Sequence, residues 1–94
     1  MTRARFVVRG RVQGVNFRAD AVREAMAHGL TGCVWNTDDD AVELIAEGDA
    51  DSLGALQRWL AHGPRMARVE RVDRVDLDGE RRYQDFSIAH AAPE

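Results

Sequence analysis

The chain has 94 residues, 45% hydrophobic and 31% charged, which gives room for one domain around one small core. Its net charge of −3 speaks against a general nucleic-acid or membrane binder. No apolar run reaches the roughly 18 residues of a membrane-spanning helix, and the basic start, Met1 to Arg5, lacks the apolar stretch of a signal peptide.

A single cysteine, Cys33, cannot form an internal disulfide, so a cytoplasmic location is the expectation. All thirteen basic residues are arginine, a chain-wide bias that deprives any one arginine of significance for its type alone.

In chain order, residues 3–11 alternate as a strand, with Ala4, Phe6 and Val8 on one face. A loop with two glycines leads into a helix from Phe17 to about His28 that turns Phe17, Ala21, Val22, Ala25 and Met26 inward. Thr31 to about Thr37 is a second strand, Asp38-Asp39-Asp40 a turn, and Val42 to Glu47 a third strand pairing back on the second. A second helix spans about Asp51 to Ala61, burying Leu53, Leu56, Trp59 and Leu60, and Gly63-Pro64 ends it. A fourth strand lies within Met66–Leu77. Its valines at 69, 72 and 75 fit neither period, which predicts a bulge or bend. Gly79 to Arg81 is a turn, Tyr83 to Ala89 a short last strand, and residues 90–94 a loose tail.

The order β-α-β-β-α-β plus a short extra C-terminal strand predicts an α+β fold, a ferredoxin-like sandwich. An antiparallel sheet would carry two helices on one face. No linker or low-complexity segment divides the chain, so residues 1–94 read as a single domain.

The loop Arg9-Gly10-Arg11-Val12-Gln13-Gly14-Val15-Asn16-Phe17-Arg18 is where chemistry is expected. Glycines in a strand-to-helix loop let backbone N–H groups approach a ligand, and the helix start adds unpaired donors and partial positive charge. Together these suit a phosphate-sized anion. Arg18 sits in the first helical turn, where a cation opposes the helix dipole. Such a placement suggests a grip on the same anion. On spacing alone, a glycine-containing turn followed by a surface arginine fits equally well. A Walker phosphate loop is excluded because no Gly-Lys-Ser/Thr follows, and no Gly-x-Gly-x-x-Gly fingerprint occurs.

Other chemistry is thin. His28, His62 and His90 lack metal-ligand spacing and read as surface or helix-end residues. The Asp38-Asp39-Asp40 run reads as a solvated hairpin tip, Cys33 as a packing residue, and Trp35 and Trp59 as surface and core packing. Asn36 shares a sheet face with Val34, which puts it on the helix side at the end of its strand. By itself it reads as a turn-forming Asn ahead of the aspartates.

The run Val8 to Arg18 closely resembles the signature V-x-G-x-V-Q-G-V-x-F-R of the acylphosphatase family. The resemblance continues through Ala25 to Asn36, Val42-Glu43, Glu47-Gly48, Gly63-Pro64 and Phe86-Ser87-Ile88, nearly the whole chain in order. It implies hydrolysis of acyl phosphates to a carboxylate and inorganic phosphate, without metal or cofactor. It assigns phosphate binding to Arg18 and to the backbone of Arg11, Val12, Gln13, Gly14, Val15 and Asn16, and orientation of the attacking water to Asn36. The partner would be a small acyl phosphate, with no nucleic acid or membrane involved, and a monomer suffices. Where the family often has Asp-Gly in the hairpin, this chain has Asp39-Asp40. The alternative function is a module that binds acyl or carbamoyl phosphate without turnover.

Overall fold

The computed structural model describes residues 1–93, which form β1 (Thr2–Arg11), α1 (Phe17–Ala27), β2 (Thr31–Asn36), β3 (Val42–Gly48), α2 (Ala50–Leu60), β4 (Arg68–Leu77) and β5 (Phe86–Ile88). Five strands make one sheet in the order β4-β1-β3-β2-β5. The first four pair antiparallel, as the sequence predicts. β5 lies parallel to β2, in register Gly32–Phe86 and Val34–Ile88, so the sheet is mixed.

Alternation in the strands sorts the two faces. Ala4, Phe6 and Val8 of β1, Val34 of β2, and Val42, Leu44 and Ala46 of β3 all point to the helix side and are buried. Phe17, Ala21 and Ala25 of α1 and Leu53, Leu56 and Leu60 of α2 close over them. α1 lies across β2 and β5, α2 across β1, β3 and β4. The core is therefore one contiguous layer between sheet and helices. Met26, expected inside, is 62% exposed, because the buried stripe of α1 is only as wide as its three core residues. Trp59 is half-buried, its ring tilted against Phe17 with centroids 5.5 Å apart.

β4 contains the predicted irregularity. Its register with β1 shifts between Arg9 and Gly10: Arg9 faces Arg71 and Gly10 faces Val69, leaving Glu70 as the extra residue. The bulge lets Val69 and Val72, three apart, pack against the same core, while Val75 is 61% exposed. Gly10 is required here: its φ is +130°, and a Cβ would stand 2.2 Å from the Arg68 carbonyl oxygen.

The far face of the sheet is covered as well. After β4 the chain passes behind the sheet, and Leu77, Tyr83 and Ala89 pack on Cys33, Trp35 and Ile45. Trp35, expected on the surface, is thus 2% exposed, buried by a segment whose path no local pattern announced. This segment is held by a carboxylate. Glu47, fully buried, accepts from Arg3 Nε at 2.7 Å, Thr31 Oγ1 at 3.1 Å, and the N–H groups of Arg82 and Tyr83 at 2.9 and 3.1 Å. Arg3 is itself buried and also donates to the Asp78 carbonyl. Burial would raise the pKa of Glu47, but the Arg3 guanidinium and the N–H and hydroxyl donors outweigh it and hold it below the ordinary carboxylate value.

Candidate active site

The loop between β1 and α1 opens onto a cleft of about 270 Å³ lined by Val12, Gly14, Asn16, Phe17, Arg18, Ala19, Asn36 and Ile88. Two residues bend the backbone into it. Gly14 has φ +74°, and Asn16, the residue before α1, is left-handed at φ 66° and ψ 22°. No side chain caps α1; its first backbone bond runs from the Asp20 N–H to the Asn16 carbonyl at 3.2 Å. Among the described residues, the backbone N–H groups of 13–19 have no hydrogen-bond acceptor. A run of bare donors at a helix start creates a local positive potential that favours an anion.

Phe17 anchors this helix start. It is 1% exposed and packed on Trp59, so its neighbour Arg18 is turned out of the core and into the cleft. No carboxylate or other hydrogen-bonding group pairs with the Arg18 guanidinium among the described residues, whereas Arg3, Arg5, Arg9, Arg23, Arg71 and Arg74 all have acidic partners. A cation at the positive end of a helix, half-buried and without a counter-charge, is suited to an anionic ligand.

Asn36 reaches the cleft from the opposite side. It is the last residue of β2, on the helix-side face, and its Oδ1 is buried without a hydrogen-bond donor among the described residues. A buried carbonyl oxygen left unpaired is costly unless a ligand or water donates to it. Asn36 also borders a second cleft of about 240 Å³ on the far side, lined by Trp35, Thr37, Asp38, Glu43 and the tail residues His90, Ala91 and Ala92.

The hairpin after Asn36 is tied down. The Thr37 N–H donates to the Ala41 carbonyl at 2.9 Å, and Arg9 pairs with Asp39 at 3.0 Å. The Thr37 hydroxyl and then Arg9 hold the Asp39 carboxyl below its usual range. Asp40, which stands where the resemblance leads one to expect glycine, is left-handed at φ 70°.

Of the residues expected to bind phosphate, the structure gathers Val12, Gly14, Asn16 and Arg18 on the cleft, with Asn36 facing them. Arg11 is still in β1, opposite Arg68, and its side chain is exposed. Val15 packs on the core. The side chain of Gln13 points away, its Nε2 donating to the carbonyls of Thr37 and Ala41, both at 2.9 Å. Sequence reasoning missed Phe17, Ala19 and Ile88 as cleft residues. Ile88 belongs to the Phe86-Ser87-Ile88 stretch of the resemblance, but nothing there placed it at the cleft, since the pairing of β5 with β2 spans 54 positions, from Gly32 to Phe86. No cluster of three or more His, Cys, Asp or Glu side chains poised for a metal occurs among the described residues.

A family model described as Acylphosphatase matches residues 4–88. The acylphosphatase of Methylococcus capsulatus is 46% identical over 88 residues, covering 94% of this chain and 96% of its own. That of Mannheimia succiniciproducens is 42% identical over 90 residues, covering 96% of this chain and all of its own. The crystal structure of acylphosphatase from Bacillus subtilis superposes with a TM-score of 0.92 at 33% identity, over 96% of this chain and the whole of that one.

Proposed function

The chain belongs to the acylphosphatase family, enzymes that hydrolyse acyl phosphates, and on that premise we propose how its residues divide the work. The phosphoryl group of a small acyl phosphate is held by the backbone N–H groups of the 10–16 loop and the start of α1, with Arg18 on its oxygens. The attacking water donates a hydrogen bond to Asn36 Oδ1, which leaves a lone pair directed at phosphorus. The P–O bond to the acyl group breaks as the new P–O bond forms, and the carboxylate departs without needing a proton. The water's proton passes to a phosphoryl oxygen, since neither Arg18 nor Asn36 is a base.

One observation carries this reading. An arginine without a counter-charge, bare N–H donors and a buried unpaired amide oxygen face one another across a single cleft. Phosphoryl transfer, with its loose transition state, relies on positioning and electrostatic stabilisation more than on covalent help from the protein. An acyl phosphate suits so light an apparatus because its leaving group is already a stable anion. No metal or cofactor enters these steps. The reading takes residues 1–94 as one domain and the enzyme as a cytoplasmic monomer acting on a small molecule rather than on nucleic acid. The net charge of −3 supports the exclusion of nucleic acid, and the single, buried cysteine supports the cytoplasm. No helix among the described residues is long and apolar enough to cross a membrane.

The test is hydrolysis of benzoyl phosphate in the presence of a chelator by the wild type, Arg18→Gln and Asn36→Ala. Arg18→Gln is expected to lose both phosphate affinity and rate, and Asn36→Ala mainly rate, each by about 10²–10³ in turnover. A folded wild type that binds phosphate but releases no product would replace the enzyme with a binding module.

A further inference from the structure

We infer that Gln13 is a positioning residue: its side-chain amide clamps the β2–β3 hairpin to the anion loop and thereby fixes Asn36 against the bound phosphoryl group. The inference rests on the role given to Asn36 above.

The geometry is specific. Gln13 lies between Val12 and Gly14, both of which line the cleft, and turns its own side chain the other way. Its Nε2 carries two hydrogens, and two acceptors lie within reach, the carbonyls of Thr37 and Ala41, each at 2.9 Å. Two carbonyl acceptors also settle which end of the amide faces the hairpin. Thr37 directly follows Asn36 on β2, and Ala41 directly precedes Val42, the residue paired with Asn36 on β3. The amide therefore spans both strands at the pair that carries the catalytic asparagine.

The hairpin's own bonds close the same square. The Thr37 N–H donates to the Ala41 carbonyl at 2.9 Å, and the Ala41 N–H donates to Thr37 Oγ1 at 3.0 Å. Those bonds hold the two strands to each other. Gln13 is the group that holds them to the loop bearing Gly14, Asn16 and Arg18. Without it, the two halves of the site are joined only through the sheet and the exposed Arg9–Asp39 pair, and a displacement well under the size of a water molecule misdirects an in-line attack.

A double-mutant cycle tests this. Wild type, Gln13→Met, Asn36→Ala and the double variant are assayed on benzoyl phosphate for kcat and KM, and with inorganic phosphate as inhibitor. Gln13→Met keeps the length of the side chain and removes both donors. Its kcat is expected to fall roughly 10- to 100-fold, with inhibition by phosphate unchanged. In the Asn36→Ala background, the same substitution is expected to slow turnover by no more than about twofold, because the group it positions is already gone. Effects that multiply, or a loss of phosphate affinity at unchanged kcat, would overturn the assignment while leaving the proposed reaction intact. A wild type without turnover overturns both. If Gln13→Met does not fold, Gln13→Asn carries the same cycle, since its amide is one methylene too short to bridge both carbonyls.

Discussion

Replacing Glu47 by Gln isolates the charge that holds the far side of the sheet. Oε2 accepts from Arg3 Nε and the Arg82 N–H, and Oε1 from the Thr31 hydroxyl and the Tyr83 N–H. Each oxygen thus receives at least one N–H donor, so the amide nitrogen of glutamine faces another donor whichever way it turns. The guanidinium of Arg3, 2% exposed, also loses the carboxylate charge at 2.7 Å. Removing one partner from a buried ion pair costs about 3–5 kcal/mol. A domain of this length has about 5–14 kcal/mol in all, so the variant is expected to sit near the edge of folding, its thermal midpoint down by roughly 12–40 °C. Urea unfolding at neutral pH measures the loss. Asp73→Asn, which breaks an exposed pair with Arg71, serves as the control and should cost about 0–1 kcal/mol. The pH dependence has a definite sign. Because the folded pKa of Glu47 is depressed, its contribution is complete above the unfolded value of about 4.5 and is lost as pH falls through the lower folded value. The gap between wild type and Glu47→Gln should therefore narrow in acid. A deficit below about 1 kcal/mol, or one that stays constant on acidification, would refute the reasoning.

Two loop glycines should fail in different ways. Gly10→Ala places a Cβ 2.2 Å from the Arg68 carbonyl oxygen and 2.8 Å from the Glu70 nitrogen, so circular dichroism should show a disrupted β1–β4 pairing. Gly14→Ala meets nothing within 4 Å but must hold φ at +74°, so it should fold with a penalty of about 1–2 kcal/mol and weakened phosphate binding. Asp40→Gly relieves an exposed aspartate at φ 70° and should raise stability by about 1 kcal/mol in thermal denaturation with turnover unchanged.

The parts legible in the sequence were those written in local periodicity. Alternation at Ala4, Phe6 and Val8 gave β1 its buried face, and the parity of Val34 and Asn36 put the asparagine on the helix side. The uneven valines of β4 foretold the bulge at Glu70. What escaped was decided by partners distant in the chain. β5 docks in parallel on β2, 54 positions earlier, and the segment that passes behind the sheet to bury Trp35 is held by Arg3 and by Glu47, 75 positions before Asp78 and 35 before Arg82. Gln13 was readable as a member of the loop, but its side chain serves a hairpin 24 positions away. No window of local sequence contains both ends of such a contact.

The donors of residues 13–19 belong to the main chain, which has a consequence for how this protein tolerates change. A recognition surface made of peptide groups is not encoded by any one codon, and most substitutions in the loop leave its hydrogens where they were. Inactivating point mutations should therefore be scarce and clustered. They are expected at Gly10, where a Cβ would strike the Arg68 carbonyl, at Gln13, which clamps the hairpin, at Gly14 and Asn16, whose left-handed angles aim the donors, and at the side chains of Arg18 and Asn36. A mutational scan of the loop would separate these positions from tolerant ones such as the exposed Arg11.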